Sequence, residues 1–126
     1  MSDSSYYRVW DLEVTDEFLE WWRELSVDQQ ESLADRVELL AERGPDLGRP
    51  VVDRIHTSRH HNMKELRAAK GGALRVLFMF DPRRQVILLL GGDKTGEWDA
   101  WYEWAVPMAD DLYDTYLVEL HDEGLI

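Results

Sequence analysis

Apolar residues recur at helical spacing through the first third of the chain. Phe18, Trp22 and Leu25 fall at i, i+4 and i+7, which predicts a short amphipathic helix over residues 16–25. Thr15 stands at the N-cap position, and Asp16 and Glu17 follow it where the helix dipole favours acids. Ser26 and Gln29 have capping-box spacing and open a second helix with Leu33, Val37 and Leu40 as its stripe. Arg43-Gly44-Pro45 ends it with a cation in the last turn, a glycine, and a proline that cannot continue. So short a link makes the two helices an antiparallel hairpin. Ahead of them YYRVWDLEV, residues 6–14, is rich in aromatic and β-branched residues and reads as a first strand.

After PDLGRP the period changes. VVDRIH, NMKELRA, ALRVLFMF and QVILLLG are strand-like runs, and Gly71-Gly72 and Asp81-Pro82-Arg83-Arg84 punctuate the last three as an antiparallel meander would require. The unbroken apolar run of QVILLLG predicts a strand covered on both faces. From Thr95 to His121 helical spacing returns, with Leu112, Tyr116 and Leu120 on one stripe and Pro107 expected to start that helix or kink it. The expected fold class is α+β: an N-terminal strand and two-helix hairpin packed on an antiparallel sheet, with a C-terminal helix. Neither a repeat nor a linker interrupts residues 1–126, so one domain is expected.

Composition narrows the setting. At 126 residues and 44% hydrophobic the chain can bury a real core, and without cysteine it needs no oxidising compartment. MSDSSYYRVW lacks a basic segment followed by an apolar run, so no signal peptide is read there. The run Val86 to Leu90 is far short of the roughly 20 residues that cross a bilayer. A cytoplasmic protein with no membrane partner is expected. Net charge is −12, which opposes non-specific nucleic-acid binding by the surface as a whole. That average conceals a division. Residues 49–94 hold ten Lys/Arg against four Asp/Glu, or +6, while the remainder holds four against 22, or −18.

Candidate chemistry lies in that basic middle. In ALRVLFMF, Leu74, Val76, Phe78 and Phe80 share one face, and Arg75, Leu77 and Met79 the other. A cation on so apolar a strand costs several kcal/mol unless an anion or a wet cleft receives it. On the preceding strand Lys64 and Arg67 lie on opposite faces. A turn centred between Gly71 and Gly72 sets Arg75 opposite Ala68; one centred on Gly71 sets it opposite Arg67, two like charges in need of an anion. Either Glu65 or helix acids neutralise these cations, or they form a phosphate-binding surface that Lys94 closes from the far end. Arg83 and Arg84 sit at a turn tip, exposed by default and candidates for RNA contact. His60 and His61 are adjacent, so on a strand they point apart, and no ligand spacing supports a metal. They stand as loop residues or acid/base candidates. Trp21, Trp22, Trp98, Trp101 and Trp104 read as packing between helix and sheet, with base stacking as the alternative.

The succession RPVVDRI, MKELR and LRVLFMFDPRRQVILLLGGDKTG resembles the RelE/ParE superfamily of bacterial toxins, in its phage-derived, HigB-like branch. The resemblance runs from about Arg49 to Tyr116 and is strongest in ELR…R-V-L-F…D. It implies a RelE-like fold and a toxin of a type II toxin–antitoxin pair, held by a cognate antitoxin of the helix-turn-helix kind. Many members of the superfamily cleave mRNA on the ribosome with neither metal nor cofactor, through attack of the 2′-hydroxyl on the neighbouring phosphate. By position, Arg67 and Arg75 match the basic sheet residues of the family and Lys94 the lysine after the last strand, which makes these three the catalytic candidates. Lys64, His60, His61 and Tyr102 are acid/base candidates beside them. GGDKTG has one lysine where relatives commonly have two, and the chain is acidic where most relatives are basic. A ParE-like branch inhibits gyrase without any nuclease activity, and an inactive domain that only binds antitoxin is a third reading. The antitoxin is expected to lay an acidic or amphipathic segment over the cationic cleft, or beside it against the tail helix near Trp101 and Tyr113.

Overall fold

A computed structural model describes residues 10–68, 73–95 and 98–126, with Trp98 given by its backbone alone. The predicted strand's residues 6–9 and the Gly71-Gly72 turn lie outside the described residues. The elements are β1 (Asp11–Val14), α1 (Asp16–Glu24), α2 (Val27–Arg43), β2 (Val52–Arg54), β3 (Lys64–Ala68), β4 (Leu74–Phe80), β5 (Gln85–Asp93) and α3 (Trp98–Asp122).

The caps form as the sequence requires. The Thr15 hydroxyl accepts from the Phe18 N–H at 3.0 Å and donates to the Leu89 carbonyl at 2.6 Å, so one side chain starts α1 and ties it to β5. Ser26 and Gln29 exchange both bonds of the capping box. Gly44 ends α2 at φ 58°, and a Cβ there would stand 2.1 Å from the Trp10 indole nitrogen. Both conformation and room require glycine at this turn.

The five strands form one sheet in the order β1-β5-β4-β3-β2. Strands β2 to β5 are the predicted antiparallel meander, whereas β1 adds to β5 in parallel, Leu12 opposite Val86. Such a pairing needs a crossover, and the α1–α2 hairpin and the meander supply it. Helices cover both faces. Phe18, Leu33 and Leu40 pack with Leu66, Leu74, Val76 and Phe78 on one side. Trp101, Ala105, Val106 and Tyr113 of α3 pack with Leu77, Met79 and Ile87 on the other. The core of β5 is accordingly buried from Val86 to Gly92.

A bulge between β4 and β5 decides what faces what. Pairing steps from Leu77 opposite Leu90 to Phe78 opposite Leu88, so Leu89 has no partner across the ladder and both Leu89 and Leu90 turn toward α3. Beyond it the alternation is inverted. A Cβ on Gly91 would meet Trp21 of α1 at 2.1 Å, and one on Gly92 would meet Trp101 of α3 at 2.1 Å. The two glycines are slots for two indoles.

Two expectations need correction. Of the two roles expected of Pro107, starting α3 is excluded: it lies inside the helix, where the carbonyl that loses its donor belongs to the exposed Glu103. Trp101 and Tyr113 are buried against the sheet, so neither offers a surface to an antitoxin. Trp21 and Trp101 pack between helix and sheet as expected, while Trp104 is 52% exposed.

Candidate active site

The register of the β3–β4 hairpin is the one centred on Gly71: Arg67 stands directly opposite Arg75. Both occupy the face toward α3, because Leu66 and Ala68 on one strand and Leu74 and Val76 on the other fill the opposite core. Two guanidinium groups are thus paired across strands near the end of the sheet.

Anions sit within reach of both. Glu65 precedes Arg67 by two residues, hence on the same face, and is only 4% exposed. Its Oε2 lies 3.4 Å from Arg67 Nη2 and its Oε1 3.3 Å from Arg75 Nε. Asp53, opposite Glu65 on β2, takes Arg67 Nη2 at 3.0 Å and Arg49 Nε at 3.3 Å. Arg75 Nη1 donates to the Leu74 carbonyl at 2.8 Å. Glu65 therefore does neutralise the cations, yet incompletely. The Nε–H of Arg67 is buried without a hydrogen-bond partner, and that of Arg75 faces Glu65 Oε1 without the alignment of a hydrogen bond. The two side chains keep part of their surface open, so an incoming anion would meet their outer guanidinium N–H groups rather than these enclosed ones.

Two more side chains close the cluster. The Tyr102 hydroxyl, from the first turns of α3, donates to Glu65 Oε1 at 2.6 Å. Burial first, then the Glu65 hydrogen bond, pushes the phenol up to about 12, so it keeps its proton through the neutral range. Lys94 follows β5 on the same face as Gly92, with Nζ 5.0 Å from the centre of the Tyr102 ring. Its ammonium is held below the usual 10.5, by burial most of all and then by the charge of Arg75, against the opposing pull of Glu65. Arg67, Arg75 and Lys94 against Glu65 and Asp53 leave the cluster one positive charge in excess.

The other candidates are placed elsewhere. Lys64 lies on the opposite face of β3, its Nζ 5.4 Å from the Phe80 ring centre. His60 bonds Asp114 at 2.8 Å and sets its ring edge-on to Tyr113, while His61 is exposed beside it. Arg83 and Arg84 stand at the far end of the β4–β5 hairpin, beyond Phe80, which is itself roughly 17 Å along β4 from Arg75. Arg83 pairs with Asp81 at 3.4 Å and bonds the Tyr116 hydroxyl at 3.1 Å; Arg84 stacks its guanidinium over Trp10 at 4.9 Å. Reading the sequence missed Asp53 as a member of the site and took Glu65 only as a neutraliser. The alternation in K-E-L-R already put Glu65 beside Arg67, which was the available signal. Among the described residues no group of three or more His, Asp or Glu side chains is arranged to hold a metal ion.

Comparison with known proteins gives a consistent picture. Residues 20–114 match the family described as "Phage derived protein Gp49-like (DUF891)". The chain is 49% identical over 104 residues to the "Putative toxin HigB3" of Mycobacterium tuberculosis, covering 82% of this chain and 90% of that one. A mutant of the E. coli toxin RelE, solved in the free state, superposes with a TM-score of 0.56 at 13% identity over 71% of this chain and 87% of the other. A chain of the intact E. coli RelBE toxin–antitoxin complex superposes at 0.54 and 12% identity, over 67% of this chain and 95% of that one. At such identities the structural matches establish a shared fold.

Proposed function

From a chain that belongs to the Gp49-like family of the RelE/HigB toxin superfamily, we infer a toxin of a toxin–antitoxin pair that cuts mRNA held on the ribosome. The observation that carries this reading is the cross-strand pair Arg67–Arg75, two guanidinium groups that share Glu65 as counter-ion and keep part of their surface open. A phosphodiester in line with them places its non-bridging oxygens where negative charge grows as the 2′-hydroxyl attacks. Preorganised donors aimed at that charge stabilise the transition state without a metal. Lys94, buried beside them with its acidity raised, supplies the proton that the leaving 5′-oxygen needs. The products are a 2′,3′-cyclic phosphate and a free 5′-hydroxyl. Inhibition falls to a cognate antitoxin, in keeping with the RelBE complex whose toxin shares this fold.

Primer extension on mRNA after induction tests the reading. Cuts in phase with codons are expected in wild type. Arg75→Ala should keep its circular dichroism spectrum, since Glu65 retains Arg67 and Tyr102, and should lose about 100- to 1,000-fold in cleavage rate. Intact transcripts beside a gyrase-linked DNA-damage response would replace this reading with the gyrase-inhibiting one, and absence of toxicity would leave a domain that only binds antitoxin.

A further inference from the structure

Between α3 and the loop that joins β2 to β3 lies a cleft of about 390 Å³ for which the cleavage reading has no use. Thr57 lines it from the loop, and Asp99, Tyr102, Glu103, Val106 and Pro107 line it from the helix. It abuts the cationic cluster. The Tyr102 ring forms one wall and lies 5.0 Å from Lys94 Nζ, while the Tyr102 hydroxyl bonds Glu65. Buried Val106, half-buried Tyr102 and the Pro107 ring give the cleft an apolar lining on which a flat ring can rest.

The strong polar groups at its mouth are acceptors. Pro107 has no N–H, so the Glu103 carbonyl, four residues earlier, has lost its helical donor. The Glu103 carboxylate is exposed and joins no ion pair among the described residues. Asp99 stands one turn ahead of it, where its charge supports the Lys94 ammonium. Ionised carboxylates and carbonyls accept hydrogen bonds and donate none. Such a mouth favours a ring edge that donates and opposes one that presents lone pairs.

We propose, resting on the mRNA-cleavage reading above, that this cleft receives the nucleobase immediately 3′ of the cut, and that Glu103 makes guanine the preferred base there. The choice of nucleotide follows from Lys94. The leaving 5′-oxygen that takes its proton belongs to the nucleotide 3′ of the cut, and Lys94 and the cleft share Tyr102. The choice of base follows from the acceptors. Guanine sets N1–H and an N2 amine side by side, a match for the two oxygens of one carboxylate, and the freed Glu103 carbonyl is available to the amine's second hydrogen. Adenine and cytosine each set one amine beside a ring acceptor, and uracil sets its N–H between two carbonyls. Each of these three brings a lone pair against the carboxylate. Glu103 is thus a specificity-determining residue that takes no part in moving protons.

Single-turnover cleavage of ribosome-bound mRNAs that differ only in the nucleotide 3′ of the cut tests the assignment, with purified wild type and Glu103→Gln. Circular dichroism confirms the fold of the variant. Wild type should cut before guanine about tenfold or more faster than before any other base, the worth of one bidentate pair. Glu103→Gln offers one donor and one acceptor, a match for adenine, so cleavage before guanine should fall about tenfold while cleavage before adenine does not fall. Wild-type rates indifferent to the base would overturn the assignment. So would a guanine preference that survives in Glu103→Gln, or a loss in that variant that falls equally on all four bases. Wild type that leaves every ribosome-bound mRNA uncut would overturn the cleavage reading itself and the cleft's role with it, a result distinguishable from the others.

Discussion

Lys94 is the cation of the cluster whose proton is easiest to move. Burial and the neighbouring Arg75 disfavour its charge, and Glu65 only partly restores it. As the proposed acid, Lys94 must carry its proton to donate it, so activity should hold below the folded-state pKa and fall as pH rises through that value. Because the shift is downward, the alkaline limb of the kcat profile should lie below 10.5. Lys94→Arg keeps the charge but never loses its proton, so we expect a slower enzyme with no alkaline limb across the range from about pH 6 to 9.5. Single-turnover rates across that range provide the check, and an unchanged limb in the variant would assign it to another group. At this scale the sequence was already informative. Arg67, Arg75 and Lys94 were visible as cations on or beside apolar strands, and Tyr102 as an acid/base candidate through the family resemblance alone. Nothing in the residues around Tyr102 reveals that its hydroxyl reaches Glu65, 37 positions earlier in the chain.

Among elements, the loop between β2 and β3 has its own tether to α3. Asp110, 2% exposed, accepts from the Ser58 hydroxyl at 2.5 Å and from the Arg59 N–H at 3.1 Å. Arg59 pairs with Asp111 at 3.1 Å and with Asp114, and His60 joins Asp114. The buried bonds of Asp110 matter more than the exposed pairs, since a donor stranded out of water costs more than a solvated ion pair contributes. We therefore expect Asp110→Ala to lower the unfolding free energy by about 1–3 kcal/mol in urea titration. Asp111→Asn, at a side chain 77% exposed, should change it by less than about 0.5 kcal/mol. Equal effects would mean that the tether is held by its surface charges. The same tether explains why His60 and His61 are drawn away from the cationic cluster: Asp114 holds the first, and its neighbour goes with it.

Over the whole molecule, a small basic site sits on an acidic protein of net charge −12. Helices α1 and α2 carry nine Asp/Glu against three arginines, all on the side of the sheet away from the cluster. The net charge of −12 repels free RNA from the molecule as a whole, whereas a ribosome would present mRNA already oriented. Purified protein should thus cleave naked mRNA slower than ribosome-bound mRNA by about tenfold or more; equal rates for the two substrates would contradict the electrostatic account. The helix boundaries, their caps, the meander and the basic middle were all legible in the sequence, because each rests on contacts between residues near in the chain or on simple alternation. Long-range choices were not. Parallel addition of β1 to β5 depends on which sheet edge is free once the meander has formed, and no local signal encodes it. Register between β3 and β4 was left at two possibilities, one residue apart, and packing against the two helical layers selected the one that pairs Arg67 with Arg75. Strict alternation from Ile87 would send Lys94 to the α1–α2 side of the sheet. The single unpaired residue at Leu89 turns it back, and so it is a bulge, formed where Trp21 and Trp101 seat against Gly91 and Gly92, that brings the third cation to the face of the other two.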